Sequence, residues 1–477
     1  MSIVSVAKNT SFMIGASVGQ KLISLTYFTI LARELGAEKL GLYTAALAMT
    51  TIFVIFADLG FTNVFIREAS KDRSRTQELF SNVLFIKIFL GILSYIALVV
   101  SLEVLGFEGQ FKALVYLSGL TMLLDSLHLT LYGVLRIHNN LRYEALSLPT
   151  VQLLTLILGF IFLKFGMPLI FLILAFSITS ALNVLYAAFI AMRRFGLRFE
   201  IRQNRKLLRT LALIALPFGL AAVCGRLYSY ADVILLKKLA TAAEVGFYST
   251  PSKITFAFQF IPLGLIAALY PRFSEYFEHD KSKLAQSFEQ SLSFLFMVAL
   301  PISTGIYLLA DQIVVFAFTS EFIPSVVPLK ILIISLVFSF VSFPIGAFLN
   351  ACSRQNVQTA ITALVLVFNI SANMFLIPRL GATGAAFSAL GANILLGILG
   401  YIFARGLAPI PHLLIARHLI STILSALVMG IVVWWSARHV HLFYSIALGF
   451  LVYLCMLFAT GRLTRKELRE FLSLFKA

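Results

Sequence analysis

Three basic residues stand where a basic residue is costly. Lys21 lies midway along an apolar run from Thr10 to Leu31, Arg226 lies deep in a run over residues 208–232, and Lys253 follows Pro251 in a run over residues 244–271. A Lys or Arg at mid-helix in a bilayer costs roughly 2.5–3.5 kcal/mol on insertion scales, so it faces a hydrated cavity or a partner. Ser17, Gln20, Ser24 and Tyr27 recur beside Lys21 at helical spacing, a polar stripe on an apolar helix, and Tyr230 lies one turn beyond Arg226. A helix broken at Pro251 would open backbone groups beside Lys253. Three cations without a matching set of carboxylates make a site for an anion, and Lys21, Arg226, Lys253, Gln20 and Tyr230 form the candidate binding set. The alternative is internal pairing of Lys21 or Arg226 with Asp125 or Asp232.

A second group could move protons or gate. Thr121, Asp125, His128 and Tyr132 share one helical face, where an Asp and a His one turn apart could carry a proton or could close a hydrogen-bonded network between helices. Asp58, in Ala57-Asp58-Leu59-Gly60, is expected to pair with a loop cation such as Arg67 or to act in gating, and Asp232 joins Asp58, Asp125 and His128 as a candidate for ion coupling. Asn369 and Asn373 read as hydrogen bonds between helices. No catalytic residue and no metal-ligand set emerges: Cys224, Cys352 and Cys455 are isolated, and the loops hold only mixed-charge turns such as Glu275 to Asp280. The segment Gly15-Ala16-Ser17-Val18-Gly19-Gln20-Lys21 departs from the nucleotide-binding phosphate loop, which needs four residues between its glycines and a Lys directly after the second. Its two glycines instead have the spacing that lets membrane helices approach. No cofactor and no nucleotide is expected.

These residues must be positioned by membrane helices. Of 477 residues, 60% are apolar and 12% charged, whereas soluble domains hold about 25% charged residues. That balance excludes a soluble enzyme, a nucleic-acid binder and a secreted protein. Hydrophobic runs separated by charges or turns predict an all-α polytopic protein of about fourteen spans, each about 20 residues. The first, roughly 9–32, carries Gln20 and Lys21 in its middle and reads as a retained helix rather than a cleaved leader; the second covers roughly 40–65. The loops on the side of both termini carry 25 Lys and Arg against 9 on the other, so both termini are expected in the cytoplasm of a multi-pass cell-membrane protein. Trp434 and Trp435 then sit at the outer interface. The net charge of +17 belongs to these loops, which set topology and meet anionic headgroups.

The second half of the chain repeats the first. Gly41-Leu42-Tyr43-Thr44 aligns with Gly246-Phe247-Tyr248-Ser249, and the same shift sets Ala37 on Ala242, Lys21 on Arg226, Arg33 on Lys238 and Arg67 on Arg272. The expected organisation is an N-terminal lobe over 1–195, a basic linker over 196–207, a second six-helix lobe over 208–404, and two further helices with a basic tail over 405–477. Transporters are often built from such repeats, with the substrate path between them.

Nearly the whole chain resembles the polysaccharide, or oligosaccharide-lipid, flippases of the multidrug/oligosaccharidyl-lipid/polysaccharide exporter superfamily. The marks are Leu35-Gly36-Ala37-Glu38-Lys39-Leu40-Gly41-Leu42-Tyr43, Ala57-Asp58-Leu59-Gly60, Leu216-Pro217, Tyr230-Ala231-Asp232-Val233-Ile234-Leu235-Leu236, Val245-Gly246-Phe247-Tyr248 and Leu380-Gly381-Ala382-Thr383-Gly384-Ala385-Ala386. The resemblance implies two lobes around a central cavity that opens alternately to each face. It also implies a polyprenyl-pyrophosphate-linked oligosaccharide as partner, held by lumen cations at the positions of Lys21, Arg226 and Lys253. Polysaccharide assembly proteins are further candidate partners. In the related lipid II flippase the last two spans form a groove for the lipid tail, which implies the same for the last two here. A lipid II flippase is the alternative reading, an ion-coupled multidrug exporter a more distant one.

Overall fold

The computed structural model describes residues 3–200 and 203–462, and among them the secondary structure is α-helical with short 3-10 turns. In the first half the helices are α1 (Ile3–Asp58), α2 (Phe61–Lys71), α3 (Thr76–Val104), α4 (Gln110–Ile137), α5 (Arg142–Lys164), α6 (Ile170–Phe195) and α7 (Arg205–Leu239). The second half adds α8 (Ala242–Ala257), α9 (Phe260–His279), α10 (Lys281–Leu308), α11 (Ala310–Phe318), α12 (Val326–Ala351), α13 (Gln355–Ala404), α14 (His412–Ser436) and α15 (Leu442–Ala459).

Twelve stretches among the described residues are long and apolar enough to cross a membrane. Two of them are too long for one crossing. The apolar part of α1 has 44 residues and α13 has 50, so at 1.5 Å per residue each is about twice the roughly 30 Å hydrocarbon core. Each bends back at a glycine in the left-handed region, Gly36 (φ 72°) and Gly381 (φ 55°), where a side chain would be strained. The twelve stretches therefore make fourteen crossings. The second ends earlier than the hydropathy suggests. Leu59 (φ 43°) and Gly60 (φ 83°) turn the chain after Asp58, and Phe61 to Lys71 form the separate amphipathic helix α2, with Phe61, Val64 and Phe65 buried and Arg67 and Lys71 exposed.

The chain forms two compact units. One holds α1 to α7, the start of α8 and the Asn373–Gly381 stretch of α13; the other holds the rest of α8 and α13 with α9 to α12, α14 and α15. In the first unit the starts of α1's second pass and of α8 cross at residues matched by the repeat. A methyl group on Gly41 would run into the carbonyl of Ala242, and one on Gly246 into the carbonyl of Ala37. The Ser249 hydroxyl lies 3.1 Å from that of Thr44, its own mate 205 residues earlier. Each segment thus meets the other through the same residues, the pattern of a two-fold contact. Only hydrogen fits between the two backbones at Gly41 and Gly246.

A buried ion pair ties α1, α2, α3 and α4 together. The Lys87 ammonium, on a side chain 1% exposed, donates to Asp58 Oδ1 (2.6 Å), Thr62 Oγ1 (2.9 Å), the Ser126 carbonyl (2.7 Å) and Thr130 Oγ1 (2.7 Å). The Asp58 carboxylate also accepts the Gly60 and Thr62 N–H groups and the Thr62 hydroxyl, so it both anchors Lys87 and caps α2. The expected partner Arg67 is instead exposed and 3.6 Å from Glu68.

The second unit is organised on α10. Leu295 and Ala299 pack with Ile333, Leu336 and Phe340 of α12, and the Tyr453 hydroxyl of α15 donates to the Met297 carbonyl (2.7 Å). Asp280 caps the start of α10 by accepting the Ser282 and Lys283 N–H groups (3.1 and 3.0 Å), and the Lys283 backbone donor leads in holding its carboxyl below the usual carboxylate range. Leu300, Thr304, Tyr307, Ile334, Leu427 and Trp434 line a largely apolar groove of about 570 Å³ between α10, α12 and α14.

Gly41→Leu and Gly246→Leu should each lower the thermal stability of detergent-solubilised protein, on the scale of the about 1–3 kcal/mol of an overpacked contact, while Gly305→Ala inside α10, whose added carbon meets nothing within 4 Å, should leave it unchanged or slightly raised. Lys87→Met strands the Asp58 carboxylate and should cost about 3–5 kcal/mol in the same measurement, most of which the double variant Lys87→Met/Asp58→Leu should recover.

Candidate substrate-binding site

Lys21, Lys87, Arg226 and Lys253 each lie well inside a span, and the structure treats them differently. Lys87 is neutralised as described above. Lys21, half-buried on the first pass of α1, makes no hydrogen bond or ion pair among the described residues, and Gln20 beside it is also half-buried. Arg226, exposed on α7, is likewise outside any ion pair among the described residues, with Tyr230 half-buried one turn on. Lys253 lies in the second unit, half-buried on α8. The helix runs unbroken through Pro251, and the interruption falls later, at Phe258 and Gln259, so Lys253 sits on regular helix rather than at a break. Tyr27 leaves the expected polar stripe: it is 4% exposed and packs against Gly159 of α5, where no larger residue would leave room for its hydroxyl.

The acids that could have neutralised Lys21 and Arg226 are engaged elsewhere. Asp232, buried on α7, accepts from the Tyr248 hydroxyl (2.7 Å) and from Asn373 Nδ2 (2.6 Å). The repeat puts Tyr27 at the corresponding place in the first half, so this carboxylate exists in one half only. Asp125 accepts from the Ser180 hydroxyl of α6 (2.8 Å), and its Oδ1 lies 3.5 Å from His128 Nδ1. The Thr121, Asp125, His128 and Tyr132 face of α4 meets α6 as a ladder: Thr121 with Ser177 (2.5 Å), Asp125 with Ser180, and Tyr132 with Asn183 (2.5 Å). The side chains of this face thus serve interhelical bonding, with the Asp125–His128 contact the loosest part.

Sequence reasoning missed three polar contacts. Lys87 was visible as a lone charge within Leu84-Phe85-Ile86-Lys87-Ile88-Phe89, but its partner is 29 residues away. Arg136 and Glu144 form a two-pronged pair (3.0 and 2.5 Å) that closes the α4–α5 turn. Glu289, 4% exposed on α10, contacts His418 Nδ1 on α14 (2.7 Å) and accepts from Ser293 (2.7 Å). Chemically, then, Asp58, Asp125, Glu144, Asp232 and Glu289 each have a partner, while Lys21 and Arg226, repeat-related cations in the spans of the first unit, have no ion pair among the described residues.

Comparison with known proteins fits this geometry. The family model described as "Polysaccharide biosynthesis protein" matches residues 6–277, and a second model, MatE, matches residues 217–375. The "Probable low-salt glycan biosynthesis flippase Agl15" of Haloferax volcanii is 24% identical over 77% of this chain and 76% of its own length. A "Putative O-antigen transporter" of Shigella flexneri is 22% identical over 81% of this chain and 94% of its own. Among solved structures, "Lipid II flippase MurJ, inward closed conformation" superposes with a TM-score of 0.77 at 18% identity, over 93% of this chain and 97% of that one, which shows a shared fold. With the matching model covering more than half of its residues, the chain belongs to the polysaccharide biosynthesis protein family, within the multidrug/oligosaccharidyl-lipid/polysaccharide exporter superfamily.

Proposed function

We propose that this protein is a flippase that carries a polyprenyl-pyrophosphate-linked oligosaccharide from the cytoplasmic to the outer leaflet for polysaccharide export. The observation that carries the reading is the pair Lys21 and Arg226: cations at matching places in the two repeats, inside spans, with no carboxylate partner among the described residues. The glycan and pyrophosphate cannot cross hydrocarbon unaided, while the prenyl tail can stay in it. A hydrated path lined by cations between two lobes, over 1–195 and 208–404, and open alternately to each face meets both needs. Lys253, Gln20 and Tyr230 complete the proposed binding set. The protein acts as a transporter and makes or breaks no covalent bond.

The groove of about 570 Å³ between α10, α12 and α14 supports a place for the prenyl chain. It is apolar, and one wall comes from α14, the first of the two helices outside the repeat. With both termini in the cytoplasm, as the loop charges favour, the pyrophosphate moves outward down the membrane potential, which is worth about 2.3 kcal/mol per charge per 100 mV. Asp232, held by Tyr248 and Asn373, and the loosely joined Asp125 and His128 are the groups whose occupancy by a proton or cation would couple to the cycle. Asp58 falls outside that set, because Lys87 already neutralises it.

Lys21→Ala and Arg226→Ala should each abolish export of the lipid-linked glycan in cells while the protein still inserts, with the glycolipid accumulating on the inner leaflet. Normal export by both variants would remove the anion-binding reading, and accumulation of cell-wall lipid II instead would reassign the substrate. Thr304→Phe, which fills the groove, should slow flipping of long-chain substrates in proteoliposomes several-fold and spare a short-chain analogue.

A further inference from the structure

Two basic loops distant in sequence are stitched into one surface. The first is the end of α2 and the turn after it, with Arg67, Lys71, Arg73 and Arg75 exposed. The second joins α6 to α7 and exposes Arg193, Arg194, Arg198, Arg205, Lys206 and Arg209. Gln77 holds them together with a reciprocal pair of hydrogen bonds: its Nε2 donates to the Arg198 carbonyl and its Oε1 accepts the Arg198 N–H, both at 2.9 Å. The Asn204 N–H donates to Asn82 Oδ1 (2.8 Å), and Phe199 packs edge-on against Phe80 (ring centroids 5.7 Å). Leu197 is buried in the same core as Phe80, so the loop is folded back onto the ends of the helices.

This folding sets both the depth and the charge of the surface. Arg193 and Arg194 are in the last turn of α6, and Arg205, Lys206 and Arg209 in the first turns of α7, which places them at the level where a span leaves the hydrocarbon. The three acids of the first loop are used locally: Glu68 pairs with Lys71 (2.8 Å), Glu78 with Arg75 (3.3 Å), and Asp72 accepts from the Ser74 hydroxyl (2.6 Å), which leaves Arg73 outside any ion pair among the described residues. Among the described residues, none of the six cations of the second loop is held in an ion pair. A positive-inside signal needs only the presence of such charges in loops; it does not require that two loops be bonded into one platform at headgroup depth.

We propose that this surface is a binding site for the headgroups of anionic phospholipids. A phosphodiester headgroup offers one compact negative charge and acceptor oxygens that match guanidinium donors, and several lie side by side at this depth. A soluble acidic partner would be better met by loops reaching away from the bilayer. That the leaflet is the cytoplasmic one rests on the orientation proposed above; binding itself does not depend on orientation or on transport.

The test is lipid enrichment around full-length protein in nanodiscs of mixed phosphatidylcholine and phosphatidylglycerol, read by native mass spectrometry of the lipids retained on release. The native protein should retain phosphatidylglycerol above its bulk fraction, and added salt should weaken this. Arg73→Gln/Arg75→Gln and Arg193→Gln/Arg194→Gln should each reduce the preference, by up to about fivefold per cation at low salt. Gln77→Ala alters no charge and should shift it in the same direction by freeing the second loop, while Arg193→Lys/Arg194→Lys should keep it. Arg379→Gln/Arg438→Gln, at other helix ends, should leave it unchanged. Native-level enrichment in both neutralised pairs, no effect of Gln77→Ala in a protein of native thermal stability, or an equal loss in the Arg379/Arg438 control would overturn the proposal. With a prenyl pyrophosphate added to the same mixture, its retention with no preference for phosphatidylglycerol would overturn the proposal as well, and would make the platform a substrate-capture surface.

Discussion

Charge inside hydrocarbon governs this molecule. An ionised group at mid-span must be matched by another protein group or kept in water, since the cost of leaving it bare is several kcal/mol. The protein uses both solutions. Lys87 takes the first: Asp58, two threonine hydroxyls and a backbone carbonyl surround its ammonium, and the network fixes four helices. Lys21 and Arg226 take neither a carboxylate nor a hydrogen-bond partner among the described residues, which leaves water or a visiting anion. The contrast within one compact unit separates a cation that ties helices together from two that bind no described side chain, more sharply than burial alone.

Duplication gives the second constraint. Residues 205 apart do more than share type: Gly41 meets Gly246 and Ala242, Gly246 in turn meets Ala37, and Thr44 meets Ser249, at a contact where the backbones touch. Such a contact depends on small side chains at equivalent places in both copies, so neither can drift independently. Departures from the repeat then carry meaning. Asp232 stands opposite Tyr27, and its bonds to Tyr248 and Asn373 give the second half a buried carboxylate that the first lacks at that place.

Much of the fold was legible because a bilayer imposes a one-dimensional rule. Apolar runs had to become helices, and the charges Arg33, Glu34, Glu38 and Lys39 around Gly36, like Pro378-Arg379 before Gly381, divided runs that the structure bends at those glycines. The unusual cost of Lys21 and Arg226 was equally visible in the string. What stayed hidden depends on partners distant in sequence. Asp58 had a plausible cation nearby in Arg67, yet the chain turns at Leu59 and Gly60 and hands it to Lys87. Pro251 suggested a broken helix, but α8 absorbs it and breaks at Phe258 instead. The Asp125–His128 stripe gave its face correctly, whereas its partners on α6, Ser177, Ser180 and Asn183, show no pattern strong enough to announce themselves.

The central claim is that Lys21 and Arg226 are held ready for a phosphate-bearing lipid head, and binding tests it more directly than transport. Purified protein should bind a fluorescent polyprenyl pyrophosphate and be competed by unlabelled pyrophosphate lipid but not by the neutral polyprenol. Lys21→Ala/Arg226→Ala should lose that preference while keeping native thermal stability. Equal affinity for the charged and neutral lipids in the native protein, or unchanged preference in the double variant, would contradict the account.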